Sequence, residues 1–236
     1  MTTALITGAN KGLGFQTASE LAELGWTVWL GARDEQRGVA AAAALADTPG
    51  HVRFVQLDVT SDESVDAAAT TLEDAGDGLD VLINNAGIIG PGVDVAHTQP
   101  TDFLACFGVN LLGPVRVTNA LMALLARSAN PRIVMVSSGM GSITVTTDPD
   151  RLESSIHNLV YSSSKAALNM VMTQYAKAFP DIAVNAADPG YTATDLNANT
   201  GHNTVEQGAR IIVQLATADA GGPSGGFFDV NGPVPW

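Results

Sequence analysis

The chain has 236 residues, of which 46% are hydrophobic and 15% charged, a composition typical of a globular protein and not of a disordered one. Its formal net charge is −13, with only 11 lysines and arginines, which disfavours nucleic acid or an anionic membrane as the main partner. The lone Cys106 excludes an internal disulfide framework and no apolar run approaches ~18 residues, so we expect a cytoplasmic protein without a membrane span.

Short apolar runs alternate with helical patterns along the chain. Strands are predicted at residues 4–7, 27–31, 52–57, 79–83, 132–136, 182–187 and 226–230. Helices are predicted up to about residue 24, after the N-caps Asp34 and Ser61, over 101–127, around Tyr161, and over 205–216. This alternation, which no linker or repeat interrupts, predicts one α/β domain over residues 1–236 with a doubly wound, mostly parallel sheet. Such sheets bind ligands beyond the carboxyl ends of their strands.

Three glycines follow the first predicted strand and open a helix. Gly8, Gly12 and Gly14 let the backbone approach a pyrophosphate, and the free N–H groups of a helix N-terminus favour an anion. The alternative is a tight turn that binds no ligand, because three glycines in a turn are weak evidence by themselves. The candidate binding residues in this turn are Gly8, Asn10, Lys11, Gly12, Leu13 and Gly14.

Tyr161 and Lys165 lie four positions apart in a segment with a helical pattern, so they share one face of a helix. A phenol titrates near pH ~10 and is a poor proton carrier at neutrality. A nearby ammonium favours the phenolate, although lowering the phenol pKa by about 3 requires roughly 4 kcal/mol of differential stabilisation. The pair is therefore a candidate general acid or base. The alternative is an ordinary Tyr and Lys on a surface helix.

Five motifs, in this order, resemble those of the short-chain dehydrogenase/reductases. They are the glycine turn, Asp58, Asn84-Asn85-Ala86-Gly87, Ser137-Ser138 with Tyr161 and Lys165, and Pro189-Gly190. Within that family, Asn10-Lys11 and Ala32-Arg33-Asp34 with Arg37 are most similar to the carbonyl-reductase-like branch. The resemblance implies a Rossmann fold, a nicotinamide cofactor and hydride transfer.

The resemblance also implies four catalytic residues. Ser138 is expected to donate a hydrogen bond to the substrate oxygen, and Tyr161 to transfer the proton. Lys165 is expected to hold the nicotinamide ribose and to lower the pKa of Tyr161. Asn110 matches the family's helix Asn, which positions a water behind Lys165. The structural alternative for Asn110 is a buried partner, which any Asn inside an apolar helix needs.

Further cofactor contacts follow from the resemblance. Asp58 is expected to bind adenine through its side chain, and Val59 through its backbone amide. The backbone at Thr192 is expected to contact the nicotinamide carboxamide. The alternatives are that Asp58 caps a turn and that Pro189-Gly190 is simply a turn. The residues assigned in this way are Asp58, Val59, Asn85, Ala86, Gly87, Pro189, Gly190, Thr192 and Thr194, together with Tyr161 and Lys165.

The residues after the second predicted strand indicate which dinucleotide binds. A site that prefers NAD places a carboxylate there for the ribose 2′-hydroxyl. Here Lys11, Arg33 and Arg37 converge on that position, and a guanidinium suits a 2′-phosphate. Asp34 is a competing ligand, but it is better explained as a helix N-cap. We therefore expect NADP(H).

Two segments depart from the shortest family members. Tyr161 lies 23 positions after Ser138, and the extra residues 143–159 are expected to form a polar excursion that shapes substrate entry. A small substrate loop is expected near 191–204. His157 either touches the substrate or is solvated, and the scattered histidines predict no catalytic metal. The resemblance implies a homodimer or homotetramer formed through the helices that bear Asn110 and Tyr161, and the excursion could alternatively alter this subunit packing.

These observations predict an NADPH-dependent reductase of a ketone or aldehyde, with Tyr161 as the proton donor and a small-molecule carbonyl compound as the partner. One alternative is a non-catalytic NADP(H)-sensing module, although such a module does not need Asn110, Ser138, Tyr161 and Lys165 together. The other alternative is a reductase of a C=N or C=C bond, for which Ser138 would matter less.

Overall fold

The computed structural model describes residues 1–236 and contains one eight-stranded sheet in the order β3-β2-β1-β4-β5-β6-β7-β8. All neighbouring strands pair in parallel except β7 and β8. This sheet confirms the predicted doubly wound fold. The strands are β1 (Thr3–Thr7), β2 (Thr27–Ala32), β3 (His51–Gln56), β4 (Val81–Asn84), β5 (Arg132–Val136), β6 (Ala183–Ala187), β7 (Phe227–Asp229) and β8 (Gly232–Pro233).

The chain forms eight α-helices, and six of them pack against the two faces of the sheet. The caps predicted from the sequence are present, since Asp34 accepts from the N–H of Arg37 and Ser61 from that of Ser64. A π-helical turn, Gly108–Leu112, joins two of the helices into one continuous segment. The helices are α1 (Gly12–Glu23), α2 (Glu35–Ala44), α3 (Asp62–Ala75), α4 (Asp102–Phe107), α5 (Gly113–Leu125), α6 (Ile143–Thr147), α7 (Leu159–Ala178) and α8 (Val205–Ala216).

Alternate residues of each central strand enter opposite halves of the core, because successive strand side chains point to opposite faces. Leu5 of β1 packs in the cluster that holds Leu168 of α7. Ile6, the next residue, packs in the cluster that holds Leu21 of α1 and Ile212 of α8. Burial on both faces explains why these strands have continuous apolar sequences.

The continuous helical segment Asp102–Leu125 is long and apolar enough, by length and composition alone, to cross a membrane. In this fold its residues Val117, Leu121 and Leu125 are buried in the core against the sheet. The core helix of a globular protein meets the same criterion, so this segment is weak evidence for a membrane span.

Candidate active site

A cavity of about 1110 Å³ opens beyond the carboxyl ends of the parallel strands. The loop that follows each of the first six strands contributes to its wall, as expected for a doubly wound sheet. The residue groups that line it along the sheet include Gly8 and Asn10 to Gly14 after β1, Arg33 after β2, Asp58 and Val59 after β3, Asn85 to Gly87 after β4, Ser138 after β5 and Pro189 to Thr194 after β6.

Most of the residues predicted for the site line this single cavity, and two do not. Asn110 is fully buried behind the wall. Arg37 lies one helical turn beyond Arg33, with its side chain 72% exposed and its Nε 4.0 Å from Asp34 Oδ2. The structure therefore brings together Ser138, Tyr161, Lys165 and the predicted contacts of the cofactor, with Arg37 outside them.

The glycines of the turn after β1 meet two steric needs. Gly8 and Gly12 have φ values of +63° and +55°, a region that residues with a side chain rarely adopt. A Cβ on Gly14 would lie 2.5 Å from Asn85 Nδ2 and 2.8 Å from the Gly8 carbonyl oxygen. The turn can therefore keep this shape, and place the N-terminus of α1 at the cavity, only with glycine at these positions.

Thr7 and Asn85 hold the glycine turn against the loop after β4. The Thr7 hydroxyl accepts from the backbone N–H groups of Asn85, at 3.0 Å, and Ala86, at 2.9 Å. Asn85 Nδ2 in turn donates to the Thr7 carbonyl at 2.8 Å. Asn84 instead turns into the core, where its Nδ2 donates to the Thr118 hydroxyl at 3.1 Å. Asn85 thus has a structural role that its assignment as a cofactor contact did not include.

Lys165 is buried beside Tyr161, with its ammonium over the phenol ring. Its Nζ lies 5.6 Å from the ring centroid and donates to the Val136 carbonyl at 2.8 Å. Asn158 caps the start of α7 and fixes this face of the helix, since its Oδ1 accepts from the Tyr161 N–H at 2.9 Å. Burial lowers the pKa of Lys165 to about 8, because desolvation penalises the ammonium.

The pKa of Tyr161 differs from the sequence-based expectation. Burial raises it above the ordinary value, and the nearby Ser138 hydroxyl only partly opposes the shift. The expected lowering by Lys165 does not govern the net shift, because the Lys165 ammonium lies over the ring and bonds to Val136. Tyr161 therefore keeps its proton in this state, which is the form that a general acid requires.

Asn110 sits in the π-helical turn and pairs with the backbone of Ile88 in both directions. Its Oδ1 accepts from the Ile88 N–H at 2.9 Å, and its Nδ2 donates to the Ile88 carbonyl at 2.9 Å. Nδ2 also lies 3.0 Å from the Ser164 hydroxyl. Ser164, which donates to the Tyr161 carbonyl at 2.7 Å, was not singled out from the sequence. Asn110 thus braces the loop after β4 and the start of α7 together.

At the far end of the cavity, Asp58 is held by its own turn. Its Oδ1 accepts from the Thr60 N–H at 2.9 Å and from the Thr60 hydroxyl at 2.7 Å. These hydrogen bonds from Thr60 lower the pKa of the Asp58 carboxyl. The predicted turn cap is therefore present, and the side chain that was assigned to adenine is fixed at the cavity wall as a carboxylate.

The loop near residues 191–204, which we expected to contact the substrate, reaches across the cavity to the glycine turn. Its stem is closed by the backbone of Ala193 and Asn203, which are joined at 2.9 Å. Its tip is a short 3₁₀ turn, Asp195–Asn197, from which Asp195 Oδ2 pairs with Lys11 Nζ at 2.7 Å. Lys11 thus points to the loop in this state.

The excursion over residues 143–159 is helical and not only polar. It contains α6 and a 3₁₀ turn, Leu152–Ser155. Leu152 and Ile156 line the cavity beside Met140. His157 is exposed and does not line the cavity, which agrees with the solvated alternative.

Comparison with known proteins is consistent with this geometry. A model of the short chain dehydrogenase family matches residues 2–205. Short-chain dehydrogenase/reductase 1 of Saponaria officinalis is 35% identical, with 99% of this chain and 95% of that protein covered. (-)-Isopiperitenone reductase of Mentha piperita is 34% identical, with 95% of each chain covered.

Two solved structures share the fold over nearly the whole chain. NADPH-bound carbonyl reductase from chicken fatty liver has a TM-score of 0.86 and 26% identity, covering 100% of this chain and 99% of that one. Salutaridine reductase of Papaver somniferum has a TM-score of 0.85 and 29% identity, covering 97% of this chain and 99% of the other.

Proposed function

This chain belongs to the short-chain dehydrogenase/reductase family of oxidoreductases, and from that premise we propose that it is an NADPH-dependent reductase that converts a ketone or aldehyde to an alcohol. The observation that carries the proposal is that Ser138, Tyr161 and Lys165 line the same cavity as the glycine turn. Proton-transfer groups and a dinucleotide cradle therefore share one site.

The residues present fit a dinucleotide. The three glycines line the cavity, and α1 begins there at Gly12, so the free N–H groups of the helix N-terminus are available to a pyrophosphate. Asp58 and Val59 would hold the adenine end, and Thr192 with Lys165 would hold the nicotinamide end. When bound, the cofactor supplies the hydride.

The cations support NADPH as the cofactor. Arg33 follows β2 and lines the cavity, at the position where a 2′-phosphate would lie. Lys11 lines the cavity as well. Asp34, the competing carboxylate, is committed to the N-cap of α2 and does not line the cavity. The chicken carbonyl reductase, which is similar over nearly the whole chain, is NADPH-bound.

We assign the proton transfer and its stabilisation to three side chains that line the cavity. The Ser138 hydroxyl donates a hydrogen bond to the carbonyl oxygen of the substrate, and this bond stabilises the negative charge that develops there. Tyr161, whose raised pKa keeps it protonated, donates its proton to the same oxygen. Lys165, charged below pH about 8, stabilises the phenolate that remains.

The cavity wall supports an apolar carbonyl compound as the substrate. Ile88 and Ile89 line the cavity from the loop after β4, and Leu152 and Ile156 line it from the excursion. All four are partly solvent-exposed, at 36%, 39%, 49% and 39% respectively. Exposed apolar side chains that share one concave wall mark a binding surface. We expect the body of the substrate to cover them.

The test is consumption of NADPH, and separately of NADH, with a panel of aldehydes, ketones, diketones and quinones. We expect turnover that prefers NADPH and that favours apolar members of the panel over small polar ones. Tight binding of NADPH without turnover of any carbonyl compound would contradict the proposal and would favour a sensing module or a C=N or C=C reductase.

A further inference from the structure

A buried carboxyl group that the proposed chemistry does not use lies beside the proton donor. Asp188 directly follows β6, is only 5% exposed and lines the cavity. An ionised carboxylate at such a depth is costly unless charge-assisted hydrogen bonds compensate for its desolvation. The contacts of this side chain therefore indicate the role of the Asp188 carboxylate.

Asp188 contacts both of the loops that hold the reacting groups. Its Oδ1 accepts from the Gly190 N–H at 2.9 Å, in the loop assigned to the nicotinamide. Its Oδ2 contacts Gly139, the residue after Ser138, since a Cβ there would lie 3.0 Å from this oxygen. Ser138 itself caps the turn that Gly139 begins, because its Oγ accepts from the Met140 N–H at 3.2 Å. A single side chain thus ties the substrate-oxygen loop to the nicotinamide loop.

A second carboxyl group, that of Glu153 in the excursion, also contacts Gly139. A Cβ on Gly139 would lie 3.0 Å from Asp188 Oδ2 and 2.8 Å from Glu153 Oε1, so both acids contact Gly139. Glu153 lines the cavity, and its Oε2 lies 3.6 Å from Arg151 Nε. Two like charges that contact the same residue favour a proton on one member of the pair.

From this arrangement we propose that Asp188 is a positioning residue, whose ionised carboxylate sets Ser138 against Tyr161, and that Glu153 tunes the pH at which this hold is lost. The proposal rests on the proposed reductase function. Protonation of Asp188 removes the charge that the Gly190 amide binds and that contacts Gly139, so the Ser138 loop loosens.

Some of the charged groups that face Asp188 favour its protonation, and others oppose it. Asp229 of β7 and Glu153 of the 3₁₀ turn raise the pKa of Asp188 further above the value that burial gives it. Tyr161 and Lys165 face it from α7, and the Lys165 ammonium opposes its protonation. Because Glu153 alone belongs to the excursion, it is the group that can be neutralised without changing the sheet or α7.

The first experiment is the pH dependence of kcat at saturating NADPH and carbonyl substrate for the wild type, Asp188→Asn and Glu153→Gln. We expect the wild type to lose kcat toward acid pH. Glu153→Gln should move this loss to lower pH by about one pH unit, because a like charge is removed. Asp188→Asn should lower kcat about tenfold to a hundredfold and abolish the acid loss, since it misplaces Ser138 and has no carboxyl to titrate.

Asp150→Asn is the matched control, because it removes an exposed carboxylate from the same excursion outside the cavity. Its pH profile should equal that of the wild type. An acid loss that is unchanged in Glu153→Gln, or that persists in Asp188→Asn, would overturn the proposal. Glu153→Gln keeps the test decisive if Asp188→Asn fails to fold.

A second readout does not depend on turnover and separates this proposal from the proposed function. Infrared difference spectra on acidification should show a protonated-carboxyl band that is absent in Asp188→Asn and appears at lower pH in Glu153→Gln. If the protein reduced no carbonyl compound, this titration would still report whether Glu153 and Asp188 are coupled. The same band in all variants would show that they are not.

Discussion

The charge of Lys165 is decided by burial, and this has a consequence for stability. The ammonium is 4% exposed, and its pKa falls from 10.5 to about 8. Below pH about 8 it is charged in both the folded and unfolded chain, and the folded state bears the cost of desolvation. Between about 8 and 10.5 the unfolded chain binds more protons, so stability rises with pH in that window.

Lys165→Met should therefore raise the free energy of unfolding at pH 7 by up to about 3 kcal/mol while removing activity. The gain should shrink as the pH rises from about 8 to 10.5. Urea unfolding at pH 7 and at pH 10 measures both effects. Lys177→Met, an exposed lysine on the same helix, is the control and should change little. A variant less stable than the wild type at pH 7 would contradict this account of the buried ammonium.

Arg33 and Arg37 allow the cofactor preference to be tested by comparison within one site. Arg33→Ala should raise the KM for NADPH about tenfold or more with little effect on the KM for NADH, because a hydrogen bond to a charged group is lost. Arg37 lies outside the cavity, so Arg37→Ala should have the smaller effect. Equal losses for NADPH and NADH in Arg33→Ala would indicate that Arg33 does not contact a 2′-phosphate.

At the scale of elements, the regular strands and helices could be predicted, because their apolar patterns are long and their caps are explicit. Asp34 and Ser61 begin helices as their residue types indicate. The segment predicted as one helix over 101–127 contains a π-helical turn that turns Asn110 toward Ile88. One extra residue per turn leaves no signature in an apolar pattern, so the sequence could not reveal it.

Contacts between distant residues were also beyond sequence reasoning. Lys11 and Asp195 are separated by 184 positions, and only the fold brings them to 2.7 Å. Asp188 and Glu153 meet at Gly139 for the same reason. The family motifs predicted most of the site residues that line the cavity, but the net shift of the Tyr161 pKa depends on burial, which a motif does not contain.

The start of α7 is the element on which the proton donor depends. Asn158→Ala should lower the free energy of unfolding by about 1 kcal/mol, because the Tyr161 N–H loses its partner at 2.9 Å. The catalytic rate should fall as well, since the first turn then frays. Urea unfolding and NADPH consumption measure the two effects. Asn158→Asp retains the acceptor and should behave like the wild type; equal losses in both variants would contradict the role of the cap.

At the scale of the molecule, exposed apolar side chains on α4, the π-helical turn and α7 support our proposal of a homodimer or homotetramer. Leu104, Leu112 and Met170 are 70%, 52% and 59% exposed. Exposed apolar patches commonly mark protein interfaces.

The alignment with the Saponaria officinalis protein spans 288 positions, against 236 residues here, so that relative carries residues that this chain lacks.

Light scattering after size-exclusion chromatography should give a mass of two or four times the 24.3 kDa of one chain. Leu112→Lys combined with Met170→Lys should yield the monomer, because two charges would have to be buried at the interface. Leu24→Lys, at an exposed leucine after α1, should leave the mass unchanged. A wild-type protein that elutes as a monomer at all concentrations would refute the proposed assembly.

The central claim is that Tyr161 donates a proton during reduction of a carbonyl compound. The most direct measurement compares single-turnover NADPH oxidation by the wild type and Tyr161→Phe with an apolar ketone, with NADPH binding measured in parallel by fluorescence. We predict that the variant binds NADPH and loses about 10²- to 10⁴-fold in rate, as expected when a general acid is removed. Full turnover by Tyr161→Phe would contradict the claim.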